Sequence, residues 1–263
     1  VGSEMCIRDS FTYSWNKNEI IELAANAVNP VTGEALNLTK LDIKGLGKAK
    51  YILKEGGTLG DLYTTSNLRF NDNGYVEVDK NGNLLMTDEG EDIYLGSVFP
   101  NHNLAWRNDF SYKGINLGVL FTARLGGVCY SATQANLDLY GVSEASAAAR
   151  DAGGVLINGR EMVDAQKWYQ AIGSQSGLPQ YYLYSATNVR LQELSLGYTF
   201  PRKWFRNKLG LTVSFVGRNL WMIYCKAPFD PEAVASTGLN YQGIDYFMMP
   251  SMRNLGFNVQ FQF

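Results

Sequence analysis

The residue types that usually carry catalysis are scarce in this sequence. His102 is the single histidine, and it stands between two asparagines just before a predicted strand, which favours a loop residue over a ligand. The segment GSQSG at 173–177 has the outline of a nucleophile elbow, but it places Gln175 where that motif needs serine. No phosphate-binding loop of the form GxxxxGK[ST] occurs. We therefore expect no enzyme, no catalytic residue and no cofactor.

Metal-ligating residues do not assemble into a complete pattern either. Glu77, Asp79, Asn81, Gly82 and Asp88 half-match a calcium loop, but the first ligand is Glu instead of Asp, and the last is Asp instead of the bidentate Glu. A solvated hairpin explains this segment better. The cysteines at positions 6, 129 and 225 have no metal-ligand spacing and are interpreted as unpaired small apolar residues. We expect no metal site.

The composition favours an all-β protein. Aromatic residues make up 13% of the chain and there are 27 glycines, which suits strands, tight turns and aromatic surface bands. The net charge of −2 gives no electrostatic case for nucleic acid as a partner. No run of about 18 apolar residues is present to form a transmembrane helix.

The clearest periodicity lies at the end of the sequence. In the run 254–263, Leu255, Phe257, Val259, Phe261 and Phe263 alternate with polar residues and a glycine, which predicts a strand with one apolar and one polar face. Such a run exceeds the roughly six residues of a typical soluble strand and matches the roughly 9–11 that a barrel strand needs to cross a bilayer. Five further segments show the pattern, at 104–112, 115–125, 190–200 and 211–221 and from Phe11 onward.

Connections between these segments alternate in length. Residues 113–114 and 201–210 make short links, whereas 126–189 and 222–253 are long. Short turns at one end of the strands and long loops at the other are typical of outer-membrane barrels. If Phe263 lies at the periplasmic rim, every short turn falls on the periplasmic side and every long loop falls outside.

The long connections contain local structure of their own. Residues 143–152 are rich in alanine and begin at Ser143, a good helix cap, so a short helix is predicted there. A second short helix is predicted at 163–172. Residues 71–85 carry two turn signals and are predicted to form a hairpin-like segment.

Aromatic and charged residues are sorted between the two faces of the predicted strands. Amphipathic rings favour the membrane–water interface, so seven aromatics near strand ends or on the apolar face are interpreted as membrane-facing or girdle residues, against the alternative of ordinary core aromatics. These are Tyr198, Phe200, Trp204, Trp221, Tyr224, Phe257 and Phe261. On the polar face, Arg124, Glu193 and Arg218 either line a transport path or are charges solvated in a wide lumen.

The first ten residues, VGSEMCIRDS, differ in character from the rest. They have no apolar region of the length that a signal peptide requires. They resemble translated sequencing adapter, so residues 1–10 are set aside as an artefact. Residues 11–263 are interpreted as a fragment of a longer chain that continues upstream.

Several motifs resemble the SusC/RagA-type family of TonB-linked (TonB-dependent) outer-membrane transporters. NVRLQELSLGYTFP at 188–201 and FVGRNLW at 215–221 are similar to late barrel strands of that family. FDPE at 229–232 and MPSMRNLGFNVQFQF at 249–263 are similar to its ending. FSYKGINLGVLFTARLGG at 110–127 is similar to one of its earlier strand pairs.

The resemblance implies a large transmembrane β-barrel of 22 strands. Residues 11–263 of this all-β chain would be the C-terminal segment of that barrel, about six antiparallel strands with long extracellular loops that contain short helices. The plug domain of the family would be absent. By the same resemblance, Phe263 is a C-terminal aromatic of the kind that signals to the barrel assembly machinery. The loops 126–189 and 222–253 are the expected substrate-binding regions.

The resemblance also implies a function and partners. It implies TonB-dependent import of an oligosaccharide or peptide across the outer membrane, as part of a complex with a SusD-like lipoprotein. Energy would come from the TonB complex, which would act through the missing N-terminal region. Two alternatives stay open: a passive porin or a structural or adhesive outer-membrane barrel, and, less favoured, a soluble β-sandwich binding module.

Overall fold

A six-stranded antiparallel sheet is the largest element of the molecule. The computed structural model describes residues 5–24, 27–36, 38–87, 90–236, 238 and 241–263. The strands of this sheet are β1 (Met5–Trp15), β6 (His102–Tyr112), β7 (Ile115–Leu125), β12 (Asn188–Phe200), β13 (Gly210–Cys225) and β15 (Asn254–Gln262). Each strand pairs with the next along the chain, in the order β1-β6-β7-β12-β13-β15. All six predicted strands are therefore present, and their pairing is the simple meander of an up-and-down barrel wall.

The register sorts the side chains of the sheet into two faces, because directly paired residues in antiparallel strands point to the same side. One row that crosses all six strands is entirely apolar: Ile7, Phe110, Leu117, Leu196, Phe215 and Phe257. A row on the opposite side is largely polar: Ser10, Arg107, Leu120, Glu193, Arg218 and Asn254. We call these sides the apolar face and the polar face.

The apolar face is left exposed. Phe257 is 80% exposed, Leu196 is 54% exposed and Phe11 is 65% exposed. A row of large apolar side chains open to the surroundings is costly in water and is the normal outer surface of a strand in lipid. Among the residues that the structure describes, no helix is both long and apolar enough to cross a membrane.

The first strand extends further toward the N-terminus than the alternation at Phe11 predicted. β1 begins at Met5 and pairs with β6 throughout, so residues 5–10 continue the sheet. In this extension Asp9 lies opposite Asn108 on the apolar face. A carboxylate directed at lipid is unfavourable, which fits a segment foreign to the barrel. The assignment of residues 1–10 to an artefact stays a prediction.

The connections follow the predicted parity. The two short links, 113–114 and 201–209, lie at the end of the sheet where the chain terminates. Residues 16–101, 126–187 and 226–253 all connect strands at the opposite end, and together they form what we call the loop lobe. His102 belongs to β6 itself rather than to a loop, and its ring stacks on Tyr13 at 5.9 Å.

In its described residues the loop lobe contains three small sheets, three α-helices and one 3-10 helix, Pro179–Tyr182. One sheet has the order β2-β3-β4-β5, with β2 (Lys40–Leu46), β3 (Ala49–Lys54), β4 (Asp61–Thr64) and β5 (Ile93–Ser97). A second joins β11 (Leu183–Ser185), β8 (Val128–Ser131) and β14 (Ile244–Asp245), and a third pairs β9 (Val155–Ile157) with β10 (Glu161–Val163). The helices are α1 (Ala132–Leu139), α2 (Glu144–Asp151) and α3 (Ala165–Ile172).

A single apolar core holds the loop lobe together. Tyr51 and Leu62 from residues 16–101 are buried in the same cluster as Tyr130, Ile172 and Ile244 from the other two connections. Burial of large side chains contributes about 1.5–3 kcal/mol each. The three long connections are therefore one folded unit rather than separate loops.

Local sequence signals set the ends of the short elements. Ser143 caps α2 by accepting a hydrogen bond from the backbone N–H of Ser146 at 3.0 Å, as predicted. The second predicted helix begins slightly later than expected, because Asp164 caps α3 and Val163 ends β10. Within 71–85, two tight turns and the bridges Phe70–Val76 and Val78–Leu84 give the predicted hairpin-like form.

Candidate functional site

The polar face carries a continuous hydrogen-bonded network in its middle. Arg107 on β6 pairs with Asp109 at 2.9 Å and reaches Glu193 on β12 at 3.5 Å. Glu193 also accepts from Arg218 on β13 at 2.9 Å. Arg124, Glu193 and Arg218 were predicted either to line a transport path or to be solvated in a wide lumen. Of these three, Glu193 and Arg218 are paired with each other across neighbouring strands. These partly exposed pairs each contribute little to stability, so their main effect is to fix side-chain orientation.

A ladder of uncharged groups continues this network toward the short turns. Ser111 donates to Asn116 at 2.9 Å, and the Asn116 amide donates to Thr199 at 2.9 Å. Thr199 in turn contacts Thr212 at 3.1 Å. The ladder spans β6, β7, β12 and β13. Its polar groups make this face of the wall hydrophilic, and each of them has a hydrogen-bond partner.

A buried arginine clamp stands where the polar face meets the loop lobe. Arg190 on β12 donates from Nη2 to Asp230 Oδ1 at 2.9 Å, and the same nitrogen forms an ion pair with Glu232 Oε1 at 3.0 Å. Its other nitrogens donate to Asn188 at 3.3 Å and to Asn219 at 3.4 Å. The side chain of Arg190 is only 4% exposed and that of Asp230 is 8% exposed. The charged FDPE segment is therefore pinned to the barrel wall by buried, charge-assisted hydrogen bonds.

Both ends of the connection 226–253 converge on this clamp. Ser251 donates to the Asp230 carboxylate, and Asn219 donates to the carbonyl of Met252 at 3.3 Å. Burial acts to raise the pKa of Asp230, but the hydrogen bonds from Arg190 and Ser251 outweigh it, and the pKa lies below its ordinary value. Asp230 is therefore held in its charged form at neutral pH.

A cavity of about 530 Å³ opens beside the clamp on the polar face. It lies between the outer halves of β1, β6, β7 and β12. Its polar lining side chains are Thr12, Ser14, Asn103, Thr122, Arg124, Gln192 and Glu232. A volume in this range is sufficient for a small ligand or for one unit of a longer one. We refer to this space as the rim cavity.

Arg124 and Glu232 connect the rim cavity to the clamp. Arg124 Nε lies 3.4 Å from Glu232 Oε1, the same oxygen that forms the ion pair with Arg190. Arg124 and Glu232 also line a second, smaller cavity of about 220 Å³ under the loop lobe. The arginine side chain is half exposed, in contrast to Arg190.

The loop lobe has a cavity of its own, of about 410 Å³, between α1, α2 and α3. Asp138, Arg150, Asp164 and Tyr169 are among its lining residues. Most of these polar groups already form hydrogen bonds within the loop lobe. Asp138 accepts from Gln134 at 3.0 Å, Arg150 donates to the carbonyl of Gly141 at 2.6 Å, and Asp164 caps α3.

Predicted girdle residues lie at both ends of the sheet. Tyr198, Phe200 and Trp204 form a chain of ring contacts near the short turns, at 4.9 Å and 5.8 Å between centroids. Trp221 and Tyr224 are exposed at the end of β13 next to the loop lobe. Their membrane contact stays a prediction.

Phe257, Phe261 and Phe263 lie along the last strand and at its end. Phe257 and Phe261 lie on the apolar face, and Phe257 contacts Phe215 at 5.6 Å. Phe263 follows the last strand and is fully exposed. Its role as an assembly signal also stays a prediction.

The two loops expected to bind substrate account for only part of the loop lobe. Residues 126–187 and 226–253 share their core with residues 16–101, for which no lobe sheet was predicted. The short strands in 16–101 show only weak alternation of apolar and polar residues. Their sequence is therefore typical of an ordinary loop, and only the shared core shows that they form a sheet. Arg190 and Asp230 were also missed as partners, although both belong to the motifs quoted above.

No metal centre is found in the described part of the chain, which lacks any group of three His, Cys, Asp or Glu side chains arranged to hold an ion. In the half-matched calcium loop, Asp79 accepts from the backbone N–H groups of Asn81 and Asn83, both at 2.8 Å. These bonds explain the segment as a turn. Asp88 lies outside the described residues.

Comparisons with known proteins agree with this architecture. The chain is 24% identical to a protein named TonB-dependent receptor P3 from Formosa agariphila, over 96% of this chain and 26% of that receptor. No protein-family model matches. The solved structure of the RagAB peptide transporter superposes with a TM-score of 0.59 at 19% identity, over 99% of this chain and 27% of that one. The RagAB peptide importer in a closed-closed state gives 0.56 at 18% identity.

These findings confirm the resemblance to SusC/RagA-type outer-membrane transporters and the fold that it implied. The chain is a partial, antiparallel β-barrel wall with an outer lobe. The relatives are named as a TonB-dependent receptor and as a peptide transporter, and neither name is that of an enzyme. The chain spans about a quarter of the length of the relatives it matches.

Proposed function

We propose that this chain forms the closing part of the barrel and part of the outer surface of a TonB-dependent importer in the outer membrane. The observation that carries the proposal is the apolar row across all six strands, with the long connections at one end of the sheet and the short turns at the other. The likeness to a TonB-dependent receptor supports the energy source. The soluble β-sandwich alternative is not supported, because within the described residues no second sheet covers the apolar face.

In this proposal each face of the sheet has a separate task. The apolar face contacts lipid, while the polar face borders a lumen that encloses a plug. The loop lobe faces the exterior and receives an oligosaccharide or peptide together with a SusD-like lipoprotein. Energy comes from the TonB complex through a region outside this chain.

The aromatic residues fit two further roles in the same proposal. Trp204 with Tyr198 and Phe200 would form the inner girdle, and Trp221 with Tyr224 the outer one, because amphipathic rings prefer the interface. Phe263 would be read by the barrel assembly machinery. Its complete exposure at the end of the chain leaves it accessible for that contact.

The membrane face can be tested with a matched pair of substitutions in the full-length protein. Phe215 and Ser214 are adjacent on β13 but point to the apolar and polar face respectively. An arginine on the lipid side near the bilayer centre costs about 2–4 kcal/mol. We expect Phe215→Arg to reduce the folded, heat-modifiable form in outer-membrane fractions several-fold, and Ser214→Arg to leave it close to wild type. Equal tolerance of both changes would contradict the assignment of faces.

Import itself is tested by uptake. Cells that express the full-length protein should accumulate or grow on its nutrient only when the TonB complex is functional. Deletion of the TonB component should abolish uptake while the amount of protein in the outer membrane stays unchanged. Uptake that persists without TonB would favour the passive porin, and correct membrane insertion with no uptake of any solute would favour a structural or adhesive barrel.

A further inference from the structure

The lining of the rim cavity is rich in polar groups that have no partner. Thr12, Ser14, Asn103, Thr122 and Gln192 make no side-chain hydrogen bond to any residue in the described ranges. Elsewhere on the polar face, groups of the same types are paired in the ladder from Ser111 to Thr212. A ring of unpaired hydroxyl and amide groups around a cavity is suited to bind a polar ligand.

Arg124 carries the positive charge among the side chains that line the rim cavity. Among the described residues its one ion-pair partner is Glu232, with Nε 3.4 Å from Oε1, and its guanidinium makes no side-chain hydrogen bond to any of these residues. Glu232 is held more closely by Arg190, at 3.0 Å through the same oxygen. The terminal edge of the Arg124 guanidinium therefore stays available, whereas Arg190 is already neutralised by Asp230 and Glu232.

We propose that the rim cavity binds the carboxylate group of an acidic solute through Arg124. This inference rests on the proposed import function. The flat edge of a guanidinium offers two parallel N–H donors that match the two oxygens of a carboxylate. The surrounding hydroxyls and amides would complete the hydrogen bonding of the carboxylate and of groups next to it.

The remaining properties of the lining narrow the ligand class. Among the described residues no aromatic side chain lines the rim cavity, so these residues offer no platform on which a neutral sugar ring could stack. One available cation suits a singly charged group better than a doubly charged phosphate. A uronic acid at the end of an oligosaccharide and the C-terminus of a peptide both supply this chemistry.

Calorimetry on the full-length receptor in detergent tests the proposal, with two matched pairs of probes. One pair is galacturonate and galactose, and the other is trialanine with a free or an amidated C-terminus. We expect at least one acidic probe to bind at least tenfold more tightly than its neutral partner and to weaken as salt is raised. Preference for galacturonate alone identifies an acidic sugar as the source, and preference for the free peptide alone identifies a peptide.

Three variants separate a binding role from a structural one. Arg124→Gln should reduce affinity for the acidic probe at least tenfold, whereas Arg218→Gln removes an arginine of the same face outside the cavity and should leave affinity unchanged. Glu232→Gln removes the competing carboxylate and should tighten binding. A merely structural Arg124–Glu232 pair would instead make both Arg124→Gln and Glu232→Gln weaken it.

The failure of this inference can be told apart from failure of the proposed function. If the receptor inserts and imports in a TonB-dependent manner, but no acidic probe is preferred or Arg124→Gln behaves as wild type, the carboxylate site is wrong and import stands. If TonB-dependent uptake fails while acidic probes bind through Arg124, the site stands and the import function is wrong.

Discussion

Removal of the Arg190 guanidinium is the most direct test of how the loop lobe is attached to the barrel wall. Arg190→Gln would leave Asp230 and Glu232 without their main cation, in a place where the Asp230 side chain is 8% exposed. Loss of one partner from a buried ion pair costs about 3–5 kcal/mol, because the remaining charge is neither solvated nor paired. We expect that cost to appear as local opening of residues 226–253 rather than as loss of the whole barrel.

Hydrogen exchange at a single amide measures this opening. The backbone N–H of Ala235 donates to the carbonyl of Ile244 at 2.9 Å, inside the clamped connection. Since each 1.4 kcal/mol changes an equilibrium tenfold, exchange at Ala235 should accelerate roughly hundred- to thousandfold in Arg190→Gln. Lys40→Gln is the matched control, because its pair with Asp92 is surface-exposed and should change exchange less than about tenfold. An acceleration in Arg190→Gln no larger than the control would refute the clamp.

Three further predictions address acid stability, helix capping and thiol reactivity. The folded pKa of Asp230 lies below its ordinary value of 3.8, so the clamp's contribution to stability is present above that value and is lost as pH falls through the folded pKa. Hydrogen exchange at Ala235 should therefore rise as the protein is titrated with acid through that pH range. Asp230→Asn should remove this rise. Ser143→Ala removes the cap of α2 and should destabilise it by about 0.5–2 kcal/mol, measured by exchange within the helix. Burial, with Asp245 nearby, raises the pKa of the Cys129 thiol to about 12, so maleimide at pH 8 should label Cys129 only after unfolding in urea.

The barrel wall was predictable from the sequence because its signal is local. Each strand needs only alternating apolar and polar residues over its own length, and the flanking turns fix the parity of the connections. The run 115–125 was predicted with its exact bounds. The errors of extent concerned β1, which begins at Met5 instead of Phe11, and β13, which continues to Cys225 and is longer than the alternation indicated.

The loop lobe was not predictable to the same degree because its stability comes from contacts between distant segments. β4 has only four residues, all buried, so no alternation marks it. α1 was missed, although Ser131 caps it by accepting from the N–H of Gln134 at 3.1 Å. The arginine clamp joins positions 40 residues apart, and no local pattern connects them. The acidic residues of the FDPE segment were the only local indication of a positively charged partner.

The charges on the polar face divide into two groups according to burial. Arg190 is enclosed by the carboxylates and amides that fasten the loop lobe, so it is committed to structure and cannot serve a passing ligand. Arg124 lies on the neighbouring strand, where it pairs in register with Asn188, two residues before Arg190, and it contacts the same Glu232 oxygen at the longer distance of 3.4 Å. The clamp holds Glu232 through Arg190 at 3.0 Å, so Glu232 competes only weakly for Arg124, whose side chain stays half exposed. Attachment of the lobe and presentation of a free guanidinium edge are two consequences of the same four charges.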